Sequence, residues 1–169
     1  MSRPLRVLAL LLPIASVCAE ALAIDLPKRK SGLWDIKISR ASTNRPSQAM
    51  QMCIDQQTDD MAQQLGESVA SQACSKQKIH REGDRIVADS VCKLGDTTAT
   101  SRTVLTGKFD RTYRGEIRTK YDPPLMGRSE NLTLIEAKWV GPCQPDQKPG
   151  DMIMPNGMKI NIRQMQSKP

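Results

Sequence analysis

Apolar and polar residues alternate along much of the chain, which is the pattern of β-strands with one buried side. Trp34, Ile36 and Ile38 alternate with polar residues directly after Gly32, and this period of two predicts a half-buried strand. Residues 111–121 alternate in the same way, with aromatic, aliphatic or small residues on one side and charged residues on the other. The same pattern predicts further strands around residues 50–54 and over residues 74–81, 85–92, 98–106 and 130–140.

Residues 58–72 change to a helical period, because apolar residues recur there at every fourth position. These residues are Met61, Leu65 and Val69. Thr58 is placed to cap the helix, and Asp59 and Asp60 fall in its first turn, where the helix dipole favours anions. The sequence therefore predicts one amphipathic helix between the second and third strands.

Turn and loop residues separate the strands. Glu82-Gly83-Asp84 predicts a hairpin, and residues 122–127 are predicted to form a loop, because two prolines cannot continue a β-ladder. Pro155-Asn156-Gly157 is compatible with a small hairpin in the tail. Residues 130–140 are apolar on both sides, so this strand needs cover on both sides, from the helix or the tail. Its second apolar side consists of Leu132 and Leu134.

Together these elements predict a mainly β protein with minor α+β character. The expected architecture is an antiparallel meander of about six strands, forming a curved sheet or partial barrel, with one amphipathic helix. A length of 169 residues fits one domain. The predicted organisation is a signal peptide (1–23), a flexible lead-in (24–31), a disulfide-stapled β-rich domain (32–143) and a Pro/Met-rich C-terminal tail (144–169).

The N-terminus has the features of a cleaved export signal. Two arginines precede an apolar stretch over residues 7–17, and Ala21-Leu22-Ala23 is a small-x-small cleavage site. The apolar stretch is too short to span a bilayer. Lipidation at Cys18 is the alternative, which we disfavour because Val17 is not a small residue. Cleavage after Ala23 removes two arginines and one glutamate, and lowers the formal net charge from +7 to +6.

The exported chain keeps four cysteines, an even set that predicts two disulfides in an oxidising compartment. Cys74 and Cys92 lie nine residues either side of Gly83, so a hairpin centred there places them opposite each other, close to bridging distance. Cys53 is then left with Cys143, and these two meet at one rim if the last strand closes against the first. The alternative pairs Cys53 with Cys74 across the helix, and Cys92 with Cys143.

Several short motifs follow one another in a recognisable order. They are Ser31-Gly32-Leu33-Trp34-Asp35, a cysteine before the helix, the Cys74–Cys92 hairpin, Trp139-Val-Gly-Pro-Cys143 and the segment 149–157. In this order and with four cysteines, they resemble the exported bacterial family catalogued as domain of unknown function 3617, over about residues 31–160. The resemblance implies a periplasmic envelope protein of a Gram-negative bacterium without an established activity. It brings no catalytic residues.

The composition argues against several classes of function. A single histidine leaves no site that needs two imidazoles, as most catalytic zinc and diiron centres do. Only five aromatic residues are present, which argues against base-stacking nucleic-acid modules despite the excess of basic residues. His80 is expected to be a solvated hairpin residue, and no nucleophile or phosphate-loop motif occurs. We therefore predict a non-enzymatic monomer without a cofactor that does not bind nucleic acid.

Two groups of strand residues are candidates for binding a ligand. An apolar concave face is a candidate amphiphile site, although the same residues also suit a core. This face consists of Trp34, Ile36, Tyr113, Ile117 and Trp139. A basic stripe suits an anionic lipid surface, although a solvated sheet face is the simpler interpretation. The stripe consists of Arg111, Arg114, Arg118 and Lys120.

Methionines of the tail are the third candidate. Met152, Met154 and Met158 carry thioethers that are soft ligands for Cu(I), although methionine also fills gaps in cores. The leading hypothesis is therefore a binding or accessory module of the cell envelope, whose partner is an amphiphile or an envelope protein. The alternatives are handling of Cu(I) and, more weakly supported, inhibition of an envelope hydrolase.

Overall fold

The computed structural model describes residues 26–41 and 46–166. The predicted signal peptide, with the alternative site at Cys18, lies outside the described residues. Within the described part, the elements in chain order are β1 (Gly32–Arg40), β2 (Gln48–Ile54), α1 (Gln56–Ala73), β3 (Cys74–Glu82), β4 (Arg85–Leu94), β5 (Thr97–Lys108), β6 (Thr112–Leu125), β7 (Arg128–Gly141), β8 (Asp151–Ile153), β9 (Lys159–Asn161) and α2 (Ile162–Gln166).

All of these strands belong to one curved, open, antiparallel sheet with the order β3-β4-β5-β6-β7-β1-β2-β8-β9. The predicted mainly β class and the single large sheet are confirmed. The sheet has nine strands rather than about six. The seven segments predicted from alternation are all present, and the tail adds two more, since β8 pairs with β2 and β9 pairs with β8. β7 pairs with β1, so the last long strand does lie against the first.

The two sides of the sheet differ in character. Side chains of directly paired residues point to the same side of an antiparallel sheet, so the register assigns each residue to a side. The core face carries the buried cluster of Trp34, Ile36 and Ala137. The outer face carries the residues between them, of which Asp35, Lys37 and Lys138 are exposed.

Helix α1 lies over the core face. It follows β2 and ends at β3, at the opposite edge of the long-strand part of the sheet, with five strands between the two. Ala62 and Gln63 of the helix line a small space together with Ile86, Leu105 and Tyr113 of the core face. The helix therefore covers one side only, and Leu134 on the outer side of β7 stays 37% exposed.

The helix begins two residues earlier than predicted, and its N-cap is Asp55 rather than Thr58. The Asp55 carboxylate accepts a hydrogen bond from the backbone N–H of Thr58 at 2.7 Å, and the Thr58 hydroxyl accepts one from the backbone N–H of Asp55 at 2.9 Å. This reciprocal pair is a capping box, with Thr58 at its third helical position. The hydrogen bond from the Thr58 backbone is the main cause that lowers the pKa of Asp55.

The segment before β1, placed by the sequence in a flexible lead-in, is instead tied to the fold over residues 26–31. Arg29 forms an ion pair with Asp59 of α1 at 2.7 Å, and the backbone N–H of Lys30 donates to the carbonyl of Phe109 at 3.1 Å. Trp34 donates from Nε1 to the carbonyl of Lys30 at 2.8 Å. These contacts hold the segment between the helix and the core face.

Both preferred disulfides are confirmed. Cys53 is joined to Cys143, and Cys74 to Cys92, with S–S distances of 2.04 and 2.05 Å. Cys74 and Cys92 are direct partners in the β3–β4 ladder, as the hairpin argument required. In the predicted loop over residues 122–127, β6 extends to Leu125, but the ladder has a register shift between Lys120 and Leu125, so regular pairing stops where the two prolines lie.

Candidate functional site

The predicted apolar ligand face is part of the core face. Trp34 is 0% and Ile36 is 7% exposed, and Tyr113 and Trp139 pack against the same buried cluster. The Trp139 indole donates a hydrogen bond to the carbonyl of Ser31 at 3.0 Å, and Ile117 is half-buried further along β6. In this arrangement four of the five side chains contact the buried cluster or form part of it, and the helix and the lead-in lie over the same side of the sheet.

The predicted basic stripe separates into three places. Arg114, Arg118 and Lys120 share the outer face of β6, whereas Arg111 lies in the turn between β5 and β6. Arg114 is 3.7 Å from Glu136 on β7. Arg114 borders the hairpin cleft described below, with Lys37 and Lys138, whereas Arg118 and Lys120 lie together with further basic residues in a different group.

Those further residues come from β3 and β5. Lys76, Val91, Thr100 and Lys120 form one row across β3, β4, β5 and β6. The next row contains Lys78, Asp89, Arg102 and Arg118. Together the two rows line a groove of about 560 Å³ on the outer face, which we call the basic groove; it is defined by Lys76, Lys78, Arg102, Arg118 and Lys120.

The two arginines of the basic groove are neutralised by acidic neighbours. Arg102 binds Asp89 at 3.1 Å and Glu82 at 2.6 Å, and Arg118 binds Glu116 at 2.7 Å. The hydrogen bond from Arg102, followed by one from His80, lowers the pKa of Glu82. These ion pairs fix the guanidinium groups in place on the floor and side of the groove.

The three lysines of the groove differ from the arginines. Lys76, Lys78 and Lys120 form no ion pair or side-chain hydrogen bond within the described part of the chain. Glu130 lies opposite Lys120 in the ladder, but no ion pair joins them. Lys76 and Lys120 are three strands apart, which corresponds to about 14 Å. The groove therefore presents three ammonium groups that are available to a ligand with more than one anionic group.

His80 lies on β3 two residues beyond Lys78, outside the lining of the basic groove. Its Nε2 is 3.1 Å from Glu82 Oε1, and its side chain is half-buried beside the buried Val87, its partner in the ladder. The four described cysteines are all in disulfides, so none of them is a thiolate.

A second depression lies on the outer face next to the β8–β9 turn. This hairpin cleft has a volume of about 1010 Å³ and is bounded by apolar residues of the tail, Ile153, Met154 and Pro155. Its charged residues alternate in sign across the strands: Lys138 is paired with Asp35, and Lys37 with Glu136. Opposite charges placed side by side compensate one another. The cleft therefore has a smaller excess of positive charge than the basic groove, which is lined by five basic residues and one acidic residue, Asp89.

The tail methionines do not share one side of the sheet. Met152 is the direct partner of Met52 and Ile160 on the core face, Met154 borders the hairpin cleft, and Met158 is 53% exposed in the turn. Residues 26–41 and 46–166 contain no group of three His, Cys, Asp or Glu side chains that could hold a metal ion. No helix of these residues is long and apolar enough to cross a membrane.

The model of the family described as Protein of unknown function (DUF3617) matches residues 29–143. The chain belongs to this family. No curated protein and no solved structure matches it. All five basic residues of the groove lie within the stretch that matches DUF3617, whereas the hairpin cleft depends on residues beyond Cys143. The basic groove is thus built entirely by the DUF3617 unit of the chain.

Sequence reasoning found Arg118 and Lys120 but missed Lys76, Lys78 and Arg102. A signal was present, because Lys76 and Lys78 are alternate residues of a predicted strand, and Arg102 is central in another. In a meander of consecutive hairpins, β3 to β6 are neighbours in space as well as in sequence. The three turns that join these four strands therefore set the alignment of the rows.

Proposed function

We propose that this protein is an exported, non-enzymatic binding module of the cell envelope, and that its basic groove binds the anionic head of an amphiphile. The observation that carries the proposal is the convergence of Lys76, Lys78 and Lys120 on one groove, where none of the three forms an ion pair within the described residues. Asp89 lies opposite Lys78 but pairs with Arg102 instead. The ligand chemistry that fits is a phosphate-bearing head, since ammonium groups attract phosphate as point charges. The spacing of about 14 Å between the outer lysines favours a head with more than one charge or an extended head.

Apolar residues beside the groove support an amphiphile over a simple anion. Leu132 on β7 is the direct partner of Arg118, and Leu134 lies two residues further along the same side. The helix covers the opposite side of the sheet, so these two leucines are available to the apolar part of the ligand. Export through the predicted signal peptide and the two disulfides are consistent with a function in an oxidising envelope compartment.

Binding of a monomeric short-chain lipid tests the proposal without a membrane. We would titrate the purified, oxidised protein calorimetrically with short-chain phosphatidylglycerol below its micelle concentration, and with short-chain phosphatidylcholine as the zwitterionic comparison. We expect saturable binding of the anionic lipid. The groove variant Lys76→Gln/Lys78→Gln/Lys120→Gln should bind it about tenfold more weakly, because each exposed charge pair contributes on the order of 0.5 kcal/mol.

A matched control removes the same charge elsewhere on the outer face. Lys37, Lys108 and Lys138 lie on the outer face at the end of the sheet near the hairpin cleft, and their triple change to Gln should leave binding within about twofold. Equal binding by wild type and the groove variant overturns the proposal. Loss of binding in the control variant alone also overturns it, and assigns the ligand to the hairpin cleft.

A further inference from the structure

The hairpin between β6 and β7 ends in an exposed apolar tip. Met126 is 96% exposed, and it follows Pro123, Pro124 and the partly exposed Leu125. The tip extends past the end of the β5–β6 ladder, since Asp122 is the final residue of β6 with a partner on β5. Asn-Gly, Asp-Gly or Gly-Gly is the usual choice for a two-residue turn with two positive φ angles. An exposed methionine in place of the first residue is favoured neither by turn geometry nor by solubility.

The backbone presents this side chain to solvent in a defined direction. Met126 has a φ of +49° and Gly127 a φ of +77°, and the pair Leu125–Arg128 closes the hairpin. A positive φ is uncommon for a residue other than Gly, Asn or Asp. Proline rings on the preceding residues restrict the chain further, so the tip is a rigid projection and its apolar end is fully available.

Basic residues of the groove lie behind the tip, along the strand that leads to it. Lys120 lies five residues before Leu125 on the same strand, at most about 17 Å along an extended chain. Apolar groups of interfacial proteins enter about 5–10 Å into the boundary between headgroups and acyl chains. With Leu125 at that depth, the backbone of Lys120 lies at most about 7–12 Å from the boundary. This is on the order of one Debye length, so the charge of Lys120 acts on the headgroup phosphates.

We propose that the protein docks on the surface of an anionic phospholipid bilayer, with Leu125 and Met126 inserted into the interface and the groove lysines within electrostatic reach of the headgroups. This inference rests on the proposed function, because it takes the anionic ligand of the groove to be a lipid within a membrane. It adds the apolar tip, which a soluble anionic ligand does not need. One inserted apolar contact plus electrostatic attraction gives reversible binding that depends on anionic lipid and on salt.

Vesicle co-sedimentation of the oxidised protein tests this surface. We expect binding to phosphatidylcholine vesicles that contain a fifth of phosphatidylglycerol, and little binding to phosphatidylcholine alone. Met126→Asn should lower the partition coefficient about fivefold, because the variant loses part of the transfer free energy of a methionine side chain. Asn tolerates a positive φ, so this variant should keep its fold, which circular dichroism verifies. Met158→Asn makes the same change at another exposed turn and should bind like wild type.

The outcomes separate this inference from the proposed function. Equal vesicle binding by Met126→Asn and wild type overturns the docking surface, as does the absence of vesicle binding by a protein that binds monomeric phosphatidylglycerol. In either case the groove proposal stands on its own titration. Loss of vesicle binding by Met126→Asn, with unchanged binding of the monomeric lipid, supports the tip as a membrane contact distinct from the groove.

Discussion

The ion pair between Arg29 and Asp59 is expected to be the most sensitive polar contact of the fold. The Asp59 side chain is 1% exposed and that of Arg29 is 13% exposed. Asp59 Oδ1 accepts from Arg29 Nε at 2.7 Å, and Oδ2 accepts from the Arg29 backbone N–H at 2.9 Å. Removal of one partner from a buried pair costs about 3–5 kcal/mol, because the other charge is left buried without compensation. In Asp59→Ala, the remaining side-chain contact of Arg29 is with Met52 Sδ at 3.9 Å.

We expect Asp59→Ala to lower the free energy of unfolding by about 3 kcal/mol, measured by urea denaturation of the oxidised protein. Asp59→Asn keeps the shape and one acceptor, so it should lose about 2 kcal/mol. Asp60 provides the matched control, because its ion pair with Lys28 at 3.3 Å is on the surface, with side chains that are 40% exposed for Asp60 and 53% for Lys28. Asp60→Ala should lower the free energy of unfolding by less than about 1 kcal/mol. A loss for Asp59→Ala within 1 kcal/mol of that for Asp60→Ala would refute the reasoning, since burial would then have no effect.

Three further predictions concern the helix cap, the disulfides and two glycines. The pKa of Asp55 is lowered by the hydrogen bond from Thr58. The carboxylate therefore stabilises the fold above its ordinary pKa of 3.8, and this contribution is lost as the pH falls through the folded value. Asp55→Ala should lower the free energy of unfolding, measured by urea denaturation, by up to about 1 kcal/mol at neutral pH and by less at pH 2. Removal of the disulfide Cys53–Cys143, with a sequence separation of 90, should lower the free energy of unfolding by about 4.6 kcal/mol. Removal of Cys74–Cys92, with a separation of 18, should lower it by about 3.2 kcal/mol, because the shorter loop restricts the unfolded chain less. Equal losses for the two double Cys→Ala variants would contradict this explanation by chain entropy. Gly32 has a φ of +129°, and an added Cβ would lie 2.6 Å from the Trp139 indole nitrogen, so Gly32→Ala should cost about 2 kcal/mol or more. Gly66 in the helix has nothing within 4 Å, so Gly66→Ala should raise stability by up to about 1 kcal/mol; thermal unfolding of the two variants should shift in opposite directions.

Local patterns predicted the local elements of this fold. The alternation around Trp34 and Tyr113, the period of four at Met61, Leu65 and Val69, and the symmetry of Cys74 and Cys92 about Gly83 each depend on neighbours in sequence. The structure has β1, β6, α1 and a disulfide at these places. These features were predictable because strand, helix and hairpin geometry relate residues only a few positions apart.

Contacts between distant segments were the part that the sequence did not reveal. β8 pairs with β2 across about a hundred residues, and the pattern of a three-residue strand carries no information on its partner. Arg29 and Asp59 each suit a solvated position, so nothing in their local sequence indicates a buried pair. The N-cap was misplaced for a different reason: Asp55 and Thr58 are both good capping residues, and in a capping box both take part.

The residues of the candidate site divide in the same way, into those that a local pattern predicts and those that only long-range pairing brings together. Arg118 and Lys120 were recognised from the alternation of a single strand, whereas Lys76 and Lys78 join them only through the register of three consecutive hairpin ladders. The apolar ligand face was derived from the same alternation that builds a core, and periodicity alone does not distinguish the two uses.

Mapping of the ligand on the groove tests the central claim most directly. We would record backbone amide shifts of the isotope-labelled, oxidised protein by NMR during titration with monomeric short-chain phosphatidylglycerol. The account predicts saturable shifts that centre on the two rows of the basic groove, at Lys76, Lys78, Val91, Thr100 and Lys120. Shifts that centre on Ile153 to Gly157 at the hairpin cleft, or no shifts at any lipid concentration, would contradict it.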